Sequence, residues 1–235
     1  MENGMIEWIF FDLGSTLLDE EAAYGYYIDK CVKKLESLDI EVSSDSYKKK
    51  MVEYAHKSLD PIRATWQYFA PTEPRPLWTN EGVSLYPETI DALDKLSQNY
   101  QLGIIAHQSA TVRALLEEWG VESYFQLIIL SEEVGLSKPD STIFKLVLQK
   151  ANTTANRIVY VGDRYDNDIV PAKSLGMRAV RILTGMGRFA VEDMEWKSDW
   201  QLHSIQELTT IFKKKKTRLK ISLVFPILEQ AFNLV

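Results

Sequence analysis

Short apolar runs followed by turn-forming residues recur along the chain and predict the strands of a parallel sheet. Most of these runs are apolar at consecutive positions, which suits strands that are buried on both faces. Helical patterns alternate with them, and this alternation is typical of α/β proteins with right-handed crossovers. The predicted strands cover residues 6–11, 102–106, 127–130, 158–161 and 178–183. The predicted helices between them cover residues 88–99, 111–119, 141–151 and 166–175.

Residues 20–86 interrupt this alternation, because their periodicity is helical and no strong strand pattern is present. The predicted helices of this segment cover residues 21–38, 44–58 and 61–69. Asp60 before Pro61 is typical of a helix start, with Asp as the cap and Pro in the first turn. A connector with three prolines, "APTEPRPLW", follows the third helix. We therefore predict a helical insertion after the first strand, with hinges near residues 17–19 and 85–87.

The composition indicates a globular protein with a sizeable core, since 46% of the 235 residues are hydrophobic and 26% are charged. A net charge of −6 argues against nucleic acid and anionic membranes as partners, because both attract clustered Lys and Arg. The single cysteine, Cys31, excludes an internal disulfide and a Cys-based zinc cluster, and its helical context predicts a core position. Neither a signal-peptide pattern nor an 18-residue apolar stretch is present, so we expect a cytoplasmic protein.

Residues 213–235 form a basic and then apolar tail that begins with four lysines. Pro226 and Glu229 interrupt the apolar part, which is too short to span a membrane. The sequence leaves open whether this tail packs on the core, pairs with another subunit or is an added extension.

Polar residues gather where the predicted strands end, and ligands of open parallel sheets bind outside that edge. Clustered carboxylates repel one another unless a cation joins them, and oxygen ligands without His or Cys favour Mg²⁺. A lysine at the same edge supplies a fixed positive charge for an anionic group such as a phosphoryl group. The residues concerned are Asp12, His107, Gln108, Ser109, Ser137, Lys138, Asp163 and Asp168.

Four motifs in this order resemble those of the haloacid dehalogenase-like (HAD) hydrolase superfamily, and the resemblance covers about residues 5–212. The family's Asp-x-Asp-x-Thr after a strand corresponds to "DLGST", which begins at Asp12, and its second motif corresponds to "LGIIAHQS". The Lys before Pro corresponds to "GLSKPDSTIF", and the final Gly-Asp motif corresponds to "IVYVGDRYDNDI". The resemblance implies a Rossmann-like core of residues 1–19 and 87–212, with residues 20–86 as an α-helical cap that closes over the site.

The resemblance also implies a role for each motif residue. Asp12 would attack a phosphoryl group and become an aspartyl-phosphate, while Lys138 would neutralise the nucleophile and the transferring group. Asp12, Asp163 and the backbone carbonyl of Gly14 would hold Mg²⁺. Asp168 would orient metal-bound waters or Lys138.

Thr16, the last residue of the first motif, is expected to have a structural role whether or not Asp12 is a nucleophile. Its hydroxyl is expected to hydrogen-bond to the backbone of the turn that follows Asp12.

Two positions depart from the family pattern. In family phosphatases an acid two residues after the nucleophile protonates the leaving group, and Gly14 cannot do so. The phosphate-binding Ser or Thr of the second motif aligns with Ala106. His107 either donates to the phosphate in its place, or only caps the next helix or faces solvent. Its neighbours Gln108 and Ser109 are further candidate donors.

The combined expectation is a Mg²⁺-dependent phosphatase of weakened activity that acts on a small phosphorylated metabolite. On this interpretation a Gly14→Asp substitution would raise hydrolysis. Two alternatives stay open, a catalytically impaired ligand-binding or regulatory pseudo-enzyme and a phosphonatase-like or dehalogenase-like variant. We expect a monomer or a weak homodimer, and the sequence does not name the substrate.

Overall fold

The computed structural model describes residues 5–213. The strands are β1 Trp8–Phe11, β2 Leu18–Asp19, β3 Ser84–Leu85, β4 Gln101–Ala106, β5 Phe125–Leu130, β6 Ile158–Gly162, β7 Arg178–Ile182 and β8 Trp200–Leu202. The helices are α1 Glu21–Glu36, α2 Ser44–His56, α3 Pro61–Phe69, α4 Thr89–Ser97, α5 Val112–Glu118, α6 Ser131–Val134, α7 Ser141–Lys150, α8 Val170–Ser174 and α9 Leu208–Ile211.

The central sheet is parallel, with the strand order β5-β4-β1-β6-β7-β8. Successive strand residues point to opposite faces, so each strand contributes to two cores. Ile9 and Phe11 of β1 face the core that is covered by α4, α5 and α9, whereas Trp8 and Phe10 face α7 and α8. This confirms the predicted α/β class and the five predicted strands, with shifts of one or two residues at their ends.

The edge strand β8 was not predicted. It has only three residues, and its central residue, Gln201, is exposed. A stretch this short, with a polar residue in the middle, lacks the continuous apolar run that identified the other strands.

The inserted segment has an apolar cluster separate from those on the two faces of the main sheet, and Met186 of the main domain also contributes to it. Helices α1 to α3 enclose a cluster that includes Tyr27, Cys31 and Met51, and the position of Cys31 confirms its assignment as a core residue. The start of α3 is also as predicted, because the side chain of Asp60 accepts a hydrogen bond from the N–H of Arg63. These helices are thus held together by their apolar faces rather than by the main sheet.

A short antiparallel ribbon joins the two ends of the inserted segment. Leu18 of β2 pairs with Leu85 of β3, and Asp19 pairs with Ser84. The ribbon is separate from the main sheet and lies where hinges are predicted. Two-residue strands carry too little periodicity to be predicted from sequence.

The predicted helix of residues 166–175 consists of two parts. A π-helical turn over Tyr165–Ile169 leads into α8, which begins at Val170 with Pro171 in its first turn. Proline suits this position because it has no N–H to donate and a φ that is already helical. The wide turn directs Asp168 back towards β6, where its side chain lies over Gly162.

No helix within residues 5–213 is long and apolar enough to cross a membrane. The expectations for the tail fall on residues 213–235 and lie, apart from Lys213, outside the described residues.

Candidate active site

The turn after β1 places the carboxylate of Asp12 at the carboxyl edge of the sheet. The backbone N–H of Asp12 donates to the carbonyl of Val161 at 2.8 Å, so this residue is still held by the neighbouring strand. The chain then folds back, and the carbonyl of Leu13 accepts from the N–H groups of residues 16–18. Ser15 has a φ of 52°, a left-handed conformation that few residues other than glycine adopt. A tight turn therefore follows a rigidly held Asp12.

Lys138 connects Asp12 to the last motif. Its buried ammonium donates to Asp12 Oδ1 at 2.7 Å and to Asp168 Oδ1 at 2.5 Å. It also donates to the hydroxyl of Tyr160 at 3.0 Å, and that hydroxyl donates to the carbonyl of Ile105 at 3.0 Å. All three ammonium protons are therefore used. Sequence reasoning missed Tyr160, because a tyrosine within a buried strand resembles an ordinary core residue.

Burial and neighbouring charges change the pKa of both partners. Burial raises the pKa of Asp12 to about 6, although Lys138 lowers it and Asp168 raises it further. Burial by itself lowers the pKa of Lys138, but Asp12 and Asp168 outweigh this effect, and the net direction is upward. Lys138 therefore stays positively charged at physiological pH, where most of Asp12 is an ionised carboxylate.

Asp163 adds a third carboxylate beside this network. One oxygen each of Asp12, Asp163 and Asp168 lies within 4.8 Å of the others. Asp163 is 5% exposed, and the described part of the chain provides no hydrogen bond to its carboxylate. Burial, with Asp168 and Asp12, raises its pKa well above the usual value. A buried carboxylate beside like charges is unfavourable unless a cation joins it, so these oxygen ligands fit Mg²⁺.

Asp168 differs from the other two acids because both of its oxygens already have partners. Oδ1 accepts from Lys138, and Oδ2 accepts from the backbone N–H of Arg164 at 3.0 Å. The side chain is fully buried. Its geometry suits a residue that holds Lys138 in place better than one that binds a metal.

Thr16 lacks the hydrogen bond expected of its side chain. Its hydroxyl is buried and has no partner among residues 5–213, while its backbone N–H donates to Leu13. The turn is closed by its backbone, so the expectation for this hydroxyl was wrong.

The carboxylate of Glu20 fills the space that a side chain at position 14 would need. A Cβ on Gly14 would lie 2.8 Å from both oxygens of this carboxylate. Glu20 is 9% exposed, and the hydroxyl of Ser15 donates to its Oε2 at 2.9 Å. Burial raises the pKa of Glu20 to about 7, against a smaller opposing effect of the Ser15 hydrogen bond.

Sequence reasoning missed Glu20 because an acid at the start of a helix is common and needs no further explanation. Its one sequence signal is that it follows Gly14 closely, at the start of the inserted segment. The occupied space also argues against the expected gain from Gly14→Asp, since a new carboxylate would meet Glu20.

The residues after β4 line an open cavity of about 630 Å³. Ala106 is fully buried at the end of the strand, whereas His107 is exposed. Partial burial and the charge of Lys138 lower the pKa of His107, so its imidazole is neutral at physiological pH. The cavity lies between the core and the inserted segment, and its lining includes Trp78, Thr79, Asn80, His107, Gln108 and Ser109.

None of the three candidate donors is hydrogen-bonded to the acidic cluster within residues 5–213. The Ser109 hydroxyl is 2.5 Å from that of Thr111, and the carbonyl of Gln108 accepts from the hydroxyl of Ser131. The structure thus brings Asp12, Lys138, Asp163 and Asp168 together. Residues 107–109 lie along a cavity whose lining includes Ser137, next to Lys138 in sequence, but none of these four residues.

Comparison with known proteins decides the family. Residues 9–182 match the sequence model of the haloacid dehalogenase-like hydrolase family. The chain belongs to this family. It is 33% identical to a glyceraldehyde 3-phosphate phosphatase of Methanocaldococcus jannaschii, over 90% of this chain and 99% of that protein.

A second relative is also similar to this HAD-like hydrolase, and a solved structure shares its fold. The pyrimidine 5′-nucleotidase YjjG of Escherichia coli is 27% identical, over 88% of this chain and 98% of that protein. The crystal structure of a HAD phosphatase from Thermococcus onnurineus superposes with a TM-score of 0.62 at 24% identity, over 88% of this chain and 97% of that one. The expected membership of the HAD superfamily and the predicted enzyme class, a hydrolase, are therefore confirmed.

Proposed function

We propose that this HAD-like hydrolase is a Mg²⁺-dependent phosphatase that cleaves a small phosphate monoester through an aspartyl-phosphate on Asp12. The main support is that Asp12 lies at the edge of the sheet, bonded to the buried Lys138 and within 4.8 Å of two further carboxylates. A carboxylate nucleophile divides one difficult displacement into two easier ones. Lys138 orients this nucleophile and neutralises the charge that the phosphoryl group brings.

The metal would be held by Asp12, Asp163 and the backbone carbonyl of Gly14. When bound, Mg²⁺ supplies positive charge that stabilises the transferring phosphoryl group. Asp168 holds Lys138 in place, since its own oxygens have other partners. Burial of these groups excludes water and strengthens each electrostatic interaction.

The substrate would enter through the cavity between the core and the inserted segment. Its lining combines polar side chains with the ring of Trp78 and includes the carboxylate of Glu132, a mixture that suits a small polar metabolite. The relatives from M. jannaschii and E. coli are named for a triose phosphate and for nucleotides, respectively. We therefore propose phosphate monoesters of this size range, with triose phosphates as the first candidates.

The inserted segment would act as the substrate-selecting cap. We propose that residues 20–86 move on the ribbon of β2 and β3, relative to the core of residues 1–19 and 87–212. A cytoplasmic location and a monomeric or weakly dimeric state stay predictions.

The test is phosphate release from a panel of phosphorylated metabolites, with and without Mg²⁺. Asp12→Asn should abolish release and prevent labelling of the protein by a phosphoryl donor. Asp94→Asn, the same change on the exposed face of α4, should match the wild type. Equal release by Asp12→Asn and wild type would contradict the role of Asp12, and no release by either protein would favour a ligand-binding protein.

A further inference from the structure

Glu20 is a buried carboxylate with no Lys, Arg or His side chain paired to it within residues 5–213. It is only 9% exposed. Its hydrogen bond comes from the hydroxyl of Ser15. Burying a carboxylate that is not paired with a cation costs stability, so its position needs an explanation beyond packing.

Helix capping does not explain Glu20. The residue occupies the N-cap position of α1, but its side chain accepts no hydrogen bond from the helix. Instead, the carboxylate of Asp19 accepts from the N–H of Glu21 at 3.0 Å. The side chain of Glu20 is turned away from the helix that it begins, towards the turn after β1.

The position of the carboxylate relates it to Asp12. Both of its oxygens lie 2.8 Å from where a Cβ of Gly14 would be, two residues after Asp12 in the same tight turn. Any side chain at position 14 would compete for this space. The absence of a side chain there therefore leaves room for a carboxyl group from the next element, two residues along the turn from the nucleophile.

Hydrolysis of a phosphate monoester needs such a group twice. When the Asp12 carboxylate attacks phosphorus, the bond to the ester oxygen breaks, and this oxygen must gain a proton to leave as an alcohol. When water then attacks the aspartyl-phosphate, it must lose a proton as the bond to Asp12 breaks. One carboxyl group that gives a proton and then takes one back balances the whole cycle.

We propose that Glu20 is the acid–base residue of this phosphatase. It lies at the start of α1, and its carboxyl group occupies the space that the missing side chain of Gly14 leaves. As a carboxylic acid it protonates the departing ester oxygen, and as a carboxylate it accepts the proton of the attacking water. The inference rests on the proposed function. It also removes one reason to expect weakened activity, because the proton is supplied by a residue outside the first motif.

The test compares Glu20→Gln with the wild type on esters with different leaving groups. Glutamine keeps an oxygen that accepts from Ser15 but cannot transfer a proton. Hydrolysis of an alkyl phosphate should fall by about 10²- to 10⁴-fold. With p-nitrophenyl phosphate the first release should stay fast, because this leaving group needs little protonation. The aspartyl-phosphate should then accumulate and be visible by intact-protein mass.

The control is Glu36→Gln, the same change at the other, exposed end of α1, which should match the wild type in every assay. A second variant moves the carboxyl group. The double variant Gly14→Asp/Glu20→Ala should be at least about tenfold more active than Glu20→Ala alone, because the introduced aspartate returns a carboxyl group to the same space. This comparison remains informative if Glu20→Gln folds poorly.

The outcomes distinguish the two proposals. If Glu20→Gln hydrolyses alkyl phosphates as fast as the wild type while Asp12→Asn is inactive, Glu20 is not the acid–base residue and the phosphatase assignment stands. The same conclusion follows if the loss is equal for all leaving groups and the double variant recovers nothing. If the wild type neither releases phosphate nor forms a phosphorylated Asp12, both proposals fail.

Discussion

The loop after β1 and the end of β4 each lack a side chain that the family pattern leads one to expect, at Gly14 and Ala106. At Gly14 the space is closed, and the carboxylate of Glu20 fills it. At Ala106 the following residue, His107, is exposed along an open cavity. A side chain lost from a closed turn can be replaced by a neighbouring element, because packing already brings that element into contact.

The largest effect is expected from Lys138, which holds the first loop to the rest of the site. Lys138→Met should lower activity by about 10³-fold or more, because it removes the charge that faces the phosphoryl group. It should also cost about 3–5 kcal/mol of unfolding free energy, since Asp12 and Asp168 would be left buried without their cation. Urea denaturation and steady-state rates measure the two effects.

Lys145→Met, on the exposed face of α7, is the matched control and should change neither quantity appreciably. Wild-type activity in Lys138→Met would show that the site does not need the charge of Lys138, and would contradict this prediction.

A methyl group at position 14 tests whether the first loop is closed. Gly14→Ala would place its Cβ 2.8 Å from both oxygens of Glu20, so the carboxylate must move. We expect a loss of about 1–3 kcal/mol of unfolding free energy from this overpacking, and lower hydrolysis of alkyl phosphates. Gly14→Asp alone should be no better, since it adds a second negative charge.

Ala106→Ser is the parallel change at the end of β4 and should raise activity, because its hydroxyl restores the donor that the family pattern places there. Higher activity in Gly14→Ala, or a severe loss of activity in Ala106→Ser, would contradict the predicted difference between these two positions.

The dependence of stability on pH tests the burial of Glu20. Its pKa rises from 4.5 to about 7 on folding, so the folded chain binds more protons between these values. The unfolding free energy of the metal-free protein therefore falls as the pH rises through this window. Glu20→Gln lacks this effect and should become more stable than the wild type by about 3 kcal/mol at most at pH 8, with no gain at pH 4.

Thermal melts across this pH range measure the difference, and Glu36→Gln should follow the wild type throughout. A constant difference between Glu20→Gln and wild type at all pH values would show that the carboxyl group is not desolvated.

The smallest effect is expected in the open loop. His107→Ala should raise KM severalfold and leave kcat within about threefold, because the neutral imidazole lines the cavity without bonding to Asp12 or Lys138. Initial rates over a range of substrate concentrations separate the two constants. A fall of kcat by about 10²-fold or more, with KM unchanged, would instead make His107 the proton donor and contradict the role of Glu20.

The sequence alone determined the parallel sheet, the helical insertion and the placement of Asp12, Lys138, Asp163 and Asp168 at one edge. These features follow from local patterns, since apolar runs and turn residues predict strands and parallel strands share a carboxyl edge. Only the tertiary structure decided the contacts of Tyr160 with Lys138, the pairing of β8, and the position of Glu20 over Gly14. Each of these depends on which segments pack together, and a glycine in the sequence does not reveal what occupies the space beside it.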